Sequence, residues 1–276
     1  MTAPLRLALF AGVLVLVFAA ATLAGGVADP KGADPQPRET AMGGHGMKAE
    51  HGAAPDPVRG LGVAEGGLRL VVDRPELARG RAGTVSFRVV DKRGETVRDF
   101  DVEHTKRMHL ILARRDLTGF QHLHPVQGDD GAWSARVRLA EPGSYRLFAD
   151  FSHDETPRTL AADLRVDGAA DLRPLPAPRT TAVSDGGYQV RLDRSGDELS
   201  FAISRDGKPV QTEPYLGAGG HLVALREGDM AFLHVHPSGD GPDFEVEFPT
   251  PGRYRLFLQF KHEGRVQTVA FTREVK

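Results

Sequence analysis

No cysteine occurs anywhere in the 276-residue chain. That absence excludes a disulfide framework, a thiolate zinc site, an iron–sulfur cluster, a lipoprotein anchor and a Cys-ligated blue-copper centre. Any bound metal must therefore be held by His, Met, carboxylate or backbone groups. An excess of one charge is also missing: 35 Lys and Arg stand against 37 Asp and Glu, for a net charge of −2. The two signs are interspersed, and without a basic stripe nucleic acid is not expected as a partner. No Ser-His-Asp spacing, phosphate-binding loop or pair of acids suited to acid–base chemistry is found, so the chain reads as a non-enzyme. A hydrophobic content of 40% and a charged content of 26% are those of an ordinary globular protein, and the length leaves room for about two domains plus tails.

One long apolar run does occur. Arg6 is followed by 22 uncharged residues from Leu7 to Ala28, with Leu14-Val15-Leu16-Val17-Phe18 at their centre. This is enough to cross a bilayer as a helix and longer than an ordinary signal-peptide core. Residues 1–28 are read as a signal anchor, or as a signal peptide if small residues such as Ala24, Gly26 and Ala28 are cut. In either case positive-inside orientation places the rest outside the cytoplasm, membrane-held or secreted.

Residues 29–60 are rich in Pro, Gly and Ala without apolar periodicity and read as a disordered tether. Within it, Met42, His45, Met47 and His51 interleave copper-compatible ligands on a flexible backbone. Residues 61–167 and 183–276 then align with each other, separated by a Pro-rich linker at 168–182. Pro142-Gly-Ser-Tyr-Arg-Leu-Phe-Ala-Asp-Phe-Ser-His153 matches Pro251-Gly-Arg-Tyr-Arg-Leu-Phe-Leu-Gln-Phe-Lys-His262 at 8 of 12 positions. Such a repeat means two similar domains in tandem. Each consists of short alternating runs broken by Gly, Pro and Asp, which predicts an all-β fold of two immunoglobulin-like (cupredoxin-like) sandwiches. Strands are expected near 67–73, 84–91, 108–113, 119–124, 132–138, 144–152 and 159–166, and near 187–193, 198–204, 221–226, 230–236, 243–248, 253–261 and 266–274. A tyrosine at Tyr145 or Tyr254, just after Pro-Gly, matches the residue that often ties down a corner in such sandwiches.

Each repeat carries four histidines in the same pattern: His109, His122, His124 and His153, then His221, His234, His236 and His262. His-x-His puts both rings on one strand face. Counting outward from the Gly228-Asp229 turn pairs His221 with His236 and Val223 with His234; the same register pairs His109 with His124. In an immunoglobulin-like order, the Tyr145 strand runs beside the His109 strand, which is expected to bring His153 to His109 and His262 to His221. The expectation is one row of imidazoles at the end of each sandwich, able to bind Cu(II), Zn(II) or Ni(II). The alternative is structural, since a buried imidazole can satisfy backbone groups at the open end of a sandwich. His104 has Leu216 as its counterpart and is set aside as incidental. Leu110, Leu112 and Leu123, with Leu222, Ala224 and Val235, lie on the face opposite the histidines and would need cover if the histidines point inward.

The blocks Met108–Pro125 and His221–Pro237, each ending in His-x-His-Pro, resemble a group of exported bacterial proteins loosely described as secreted or heavy-metal-binding. The general plan also resembles the YtkA-like and CopC-like immunoglobulin-type sandwiches associated with copper handling, although no CopC ligand motif maps onto this chain. The resemblance implies a membrane-associated, extracytoplasmic metal-binding protein for envelope buffering or delivery, with copper as the first candidate and zinc as the second. The alternative is a structural or interaction protein of tandem immunoglobulin-like domains, with another protein as partner. A third reading, a cupin-like metal enzyme, rests on Gly228-x5-His234-x-His236 and lacks the downstream Glu.

Overall fold

The computed structural model describes residues 58–233 and 235–276, with the backbone alone at His236. The signal-anchor segment, the Met/His motif of the tether and His234 lie outside the described residues. Among those described, no helix is long and apolar enough to cross a membrane.

The fold is all-β. In the first repeat, one sheet runs Ala64–Glu65, Leu68–Val72, Ala82–Val90, Trp133–Arg138, Val126–Gln127. The facing sheet runs Glu76–Leu77, Thr156–Val166, Gly143–His153, His109–Arg114, Gln121–Leu123. The second repeat copies this plan: Gln189–Ser195, Glu198–Arg205 and Asp243–Glu245 form the middle of one sheet, and Phe232–Leu233, His221–Arg226, Gly252–His262 and Arg265–Val275 form the other. All fourteen expected strands are present, with short extra pieces at sheet edges.

Each sandwich has its own core because alternate residues of the long strands point between the sheets. Leu110, Leu112, Tyr145, Leu147, Ala149 and Phe151 face Val85, Phe87 and Trp133 in the first core. Leu222, Ala224, Tyr254, Leu256, Leu258 and Phe260 do the same in the second. The tyrosine corners form as expected, with the Tyr145 hydroxyl donating to the Glu141 carbonyl at 3.0 Å and Tyr254 to the Thr250 carbonyl at 2.8 Å. Replacing either with Phe removes this part-buried hydrogen bond, together with the Tyr254 contact to Thr250 Oγ1 at 3.2 Å in the second repeat, and is expected to lower stability by about 1 kcal/mol in urea denaturation. A loss near zero would mean that the corner is held by packing alone.

The core placement decides the facing, which the sequence left open. Leu110, Leu112, Leu222, Ala224 and Val235 line the sandwich interiors, and Leu123 packs against the first. The opposite face, which carries His109 and Ile111 in one repeat and His221 and Val223 in the other, turns away from its own sandwich. That face is apolar and buried too, because the repeats press these sheets against each other. Ile111, Ala113, Leu117, Phe148 and Ala161 meet Val223, Leu225, Met230, Phe232 and Phe257 in a third core. The contact is reciprocal. Phe120 stacks on Phe257 with ring centroids 4.1 Å apart, and their repeat counterparts Phe232 and Phe148 meet at 5.6 Å. This is the pattern of a two-fold, self-complementary interface, written within one chain.

The connecting segments reinforce it. Leu175 of the linker is buried in the third core, and its carbonyl accepts from Arg253 at 3.0 Å. Before the first repeat, the Phe232 amide donates to the Arg59 carbonyl and the Gly60 amide to the Thr159 carbonyl, so one short segment touches both repeats. Gly60 has φ +70°, and a Cβ there would lie 2.8 Å from Phe232 Cβ and 2.9 Å from the Phe148 ring. Only glycine fits.

Candidate functional site

The hairpins carrying the histidines have the register expected from their turns. Ile111 pairs with His122 and Leu110 with Leu123, while Ala224 pairs with Leu233 and Leu225 with Phe232. Continuing the first ladder sets His109 opposite His124.

Beyond the hairpins, the geometry departs from two separate rows. His109 pairs with Asp150, not His153, and His221 pairs with Gln259, not His262. The Gly143–His153 and Gly252–His262 strands overrun their neighbours, and their last residues turn back into the hairpins that follow them. Directly paired residues share a face, so Asp150 and Gln259 look toward the histidines, while His153 and His262 lie three positions on and on the other face. His153 Nδ1 lies 3.0 Å from the Asp99 carbonyl. His262 Nδ1 lies 2.8 Å from the Tyr188 hydroxyl. Both have local hydrogen-bonding roles, and neither belongs to the cluster formed by the other described histidines.

The remaining described histidines converge across the interface between repeats. One ligand nitrogen each from His109, His122 and His221 lies within 4.8 Å of the others. The His221 ring stacks on His122 at 4.7 Å and on His109 at 5.6 Å. His124 is edge-on, its centroid 5.1 Å from His109 and 4.9 Å from His122. His104, set aside on sequence grounds, also belongs here, 6.2 Å from His109 and 5.9 Å from His221. It sits on a left-handed turn with φ +46° that Leu216 matches in the second repeat at +56°. The signal that could have found His104 is proximity in sequence to His109, not repetition. The His236 side chain lies outside what is described.

Burial sets the electrostatics. His109 is 3% exposed and His122 9%. Desolvation first, and repulsion from neighbouring imidazoles second, lower His122 to about 3. Burial also lowers His109 to about 4 against the pull of Asp150, and His124 to about 4 with Lys106 adding to it. His221 is held well below its ordinary value by burial and by His122, His109, His104 and His124. Asp150 moves the other way: burial raises it, although Thr159 donates to it at 2.7 Å. At neutral pH the four shifted imidazoles are uncharged, which is the form that binds metal or passes hydrogen bonds along a chain.

That chain can be followed atom by atom. His109 Nε2 lies 3.3 Å from the Glu103 carbonyl, His109 Nδ1 lies 3.0 Å from His122 Nε2, and His122 Nδ1 lies 2.6 Å from Gln259 Oε1. The Gln259 amide nitrogen donates to Thr268 Oγ1 at 3.2 Å, with its oxygen on the His122 side. His124 Nε2 is buried with no hydrogen-bond partner among the described residues.

A family model described as "Domain of unknown function (DUF8832)" matches residues 63–168 and again 181–276. No curated protein matches the chain. Among solved structures, the Escherichia coli adhesin FdeC is 16% identical, with 74% of this chain and 63% of that one covered at a TM-score of 0.27. A Salmonella alpha-2-macroglobulin mutant is 13% identical over 78% of this chain and 15% of its own, with a TM-score of 0.29. A two-domain fibronectin type-III segment of chicken tenascin is 10% identical over 75% and 97%, with a TM-score of 0.24. This chain thus spans less than two thirds of the adhesin and a small part of the macroglobulin.

Proposed function

Both repeats place the chain in the DUF8832 family, and from that footing we propose that it is a non-enzymatic structural and interaction module, two immunoglobulin-like sandwiches acting as one body outside the cytoplasm. The N-terminal apolar segment would hold it at the membrane, and the partner would be another protein of the envelope. The observation that carries the reading is the third core. Each repeat spends the outer face of its histidine-bearing sheet on the other repeat, so a stiff two-domain unit results where a flexible linker alone would leave two beads on a string.

Calorimetry on the full chain tests it. One cooperative unfolding transition is expected for the wild type. Phe148→Ala opens the interface beside Phe232 and Gly60 at a cost of about 3–5 kcal/mol, and is expected to split the transition in two. Two independent transitions in the unaltered protein would refute the single-body reading.

A second reading, metal handling in the envelope with copper or zinc, is supported by a different observation: three imidazole nitrogens drawn from both repeats lie within 4.8 Å of one another. The resemblance to copper-associated sandwiches points the same way.

A further inference from the structure

We propose that His109, His122 and His221 form a single divalent transition-metal site shared by the two repeats, with His124 as fourth ligand, so that the ion clamps one sandwich to the other. The proposal rests on the second reading above and gives it a location, a ligand set and a consequence.

The first argument is a proton count. From the Glu103 carbonyl through His109 and His122 to Gln259 Oε1 there are three close gaps. Both ends are acceptors, and two neutral imidazoles carry only two N–H protons. One gap must therefore bring two lone pairs together. With the protons on the outer nitrogens, where carbonyl oxygens await them, the bare pair is His109 Nδ1 and His122 Nε2 at 3.0 Å. A cation between these nitrogens resolves the conflict. Two nitrogens bound to one tetrahedral ion at about 2.0–2.1 Å stand about 3.4 Å apart, so the pair needs to open by only a few tenths of an ångström.

The second argument is orientation. Metal-bound imidazoles almost always give their other N–H to a carbonyl or carboxylate, which fixes the tautomer and the aim of the ring. His122 has this arrangement toward Gln259, a residue of the other repeat, and His109 has it toward Glu103.

The third argument is the supply of further ligands. His221 lies in the same cluster from the second repeat and must turn and close by about an ångström to reach bonding distance. His124 Nε2 is buried and unpartnered among the described residues, beside both first-repeat ligands. Rings of neutral imidazole without thiolate suit Zn(II), Cu(II) and Ni(II). Hard cations, which take six to eight oxygens, find no such set among the described residues of the cluster. Because the ligands come from two sandwiches, an ion bound to the closed pair and not to the parted one stabilises the closed arrangement by linkage.

The test uses the full chain carrying His45→Ala and His51→Ala, so that the N-terminal segment does not compete. Zn(II) is titrated against a chromophoric chelator, and Co(II) is followed by the intense visible bands of a tetrahedral site. One equivalent is expected, with a metal-dependent rise in the unfolding midpoint. His122→Gln and His221→Gln, checked for folding by circular dichroism, are each expected to weaken binding at least a hundredfold and abolish the rise. Gln259→Leu leaves every ligand in place and is expected to weaken binding about tenfold; this variant carries the test if a histidine variant fails to fold. Binding unchanged in His122→Gln and His221→Gln would leave metal handling standing and overturn the shared site. Loss in His122→Gln alone would overturn the clamp. No binding at all would overturn both, and would mean that the Gln259 amide presents its nitrogen to His122 and closes the chain with protons.

Discussion

Without added metal, the protein is expected to lose stability steeply as the pH falls from 6.5 toward 4, the interval between the ordinary histidine value and the lowered His109 value. The sign follows from which state takes the protons. In the unfolded chain each imidazole is protonated near its ordinary value; in the folded chain His109 and His124 wait until about 4 and His122 until about 3. Over that interval the unfolded state binds more protons, so stability is full above the ordinary value and drains away in acid. A tenfold difference in proton affinity is worth about 1.4 kcal/mol, so the lowered pair His109 and His122 puts several kcal/mol at stake. Asp150, raised by burial, contributes in the opposite direction, one carboxyl against four imidazoles. Urea midpoints measured between pH 7.5 and 4.5 should fall sharply, and His122→Phe should flatten the profile. A midpoint that holds steady down to pH 5 would refute this account.

Asp116→Ala is expected to damage the first repeat about as much as opening its core would. Arg114 and Asp116 have side chains 1% and 3% exposed and are joined by two hydrogen bonds of 2.9 and 2.5 Å. The guanidinium also donates to the Pro142 and Asp171 carbonyls. Burial alone would raise Asp116, but Arg114, the Arg173 amide and Thr118 hold it down at about 2. Taking away the carboxylate strands a buried guanidinium, at a cost of about 3–5 kcal/mol. In the second repeat the corresponding turn pairs Arg226 with Asp229 at side-chain exposures of 18% and 40%. Asp229→Ala is therefore expected to cost about 1 kcal/mol or less. Parallel urea titrations of the two variants check the contrast, and equal losses would show that burial does not govern it. The Asp116 pair keeps its charge until the pH nears 2, so it does not contribute to the acid transition predicted between pH 6.5 and 4.

The turn chemistry was legible in the sequence, and with it the hairpin register, the strands and the tyrosine corners, because each is dictated locally. The facing of the sheets was not. His109–Arg114 is buried at every position, and a strand apolar on both faces carries no alternation to say which side meets its own sandwich. That same uniformity was a signal that a second cover existed. The offset between neighbouring strands was also hidden, since it depends on how far Gly143–His153 overruns His109–Arg114. Hence His153 and His262 were expected where Asp150 and Gln259 stand. A cluster drawn from both repeats could not follow from reading each repeat alone.

The reciprocal contact between Phe120 and Phe257 and between Phe232 and Phe148 has the form of a homodimer interface. In a true homodimer each substitution is made twice, once on either side of the axis. Joined by the segment at 168–182, the halves are free to differ while the tether keeps their effective concentration high. The differences lie at the axis itself: His104 faces the cluster where the second repeat has Leu216, and Gln259 stands opposite His221 where Asp150 stands opposite His109. An acid side chain on one side and an amide on the other give the centre of the molecule a polarity that no symmetric pair can have.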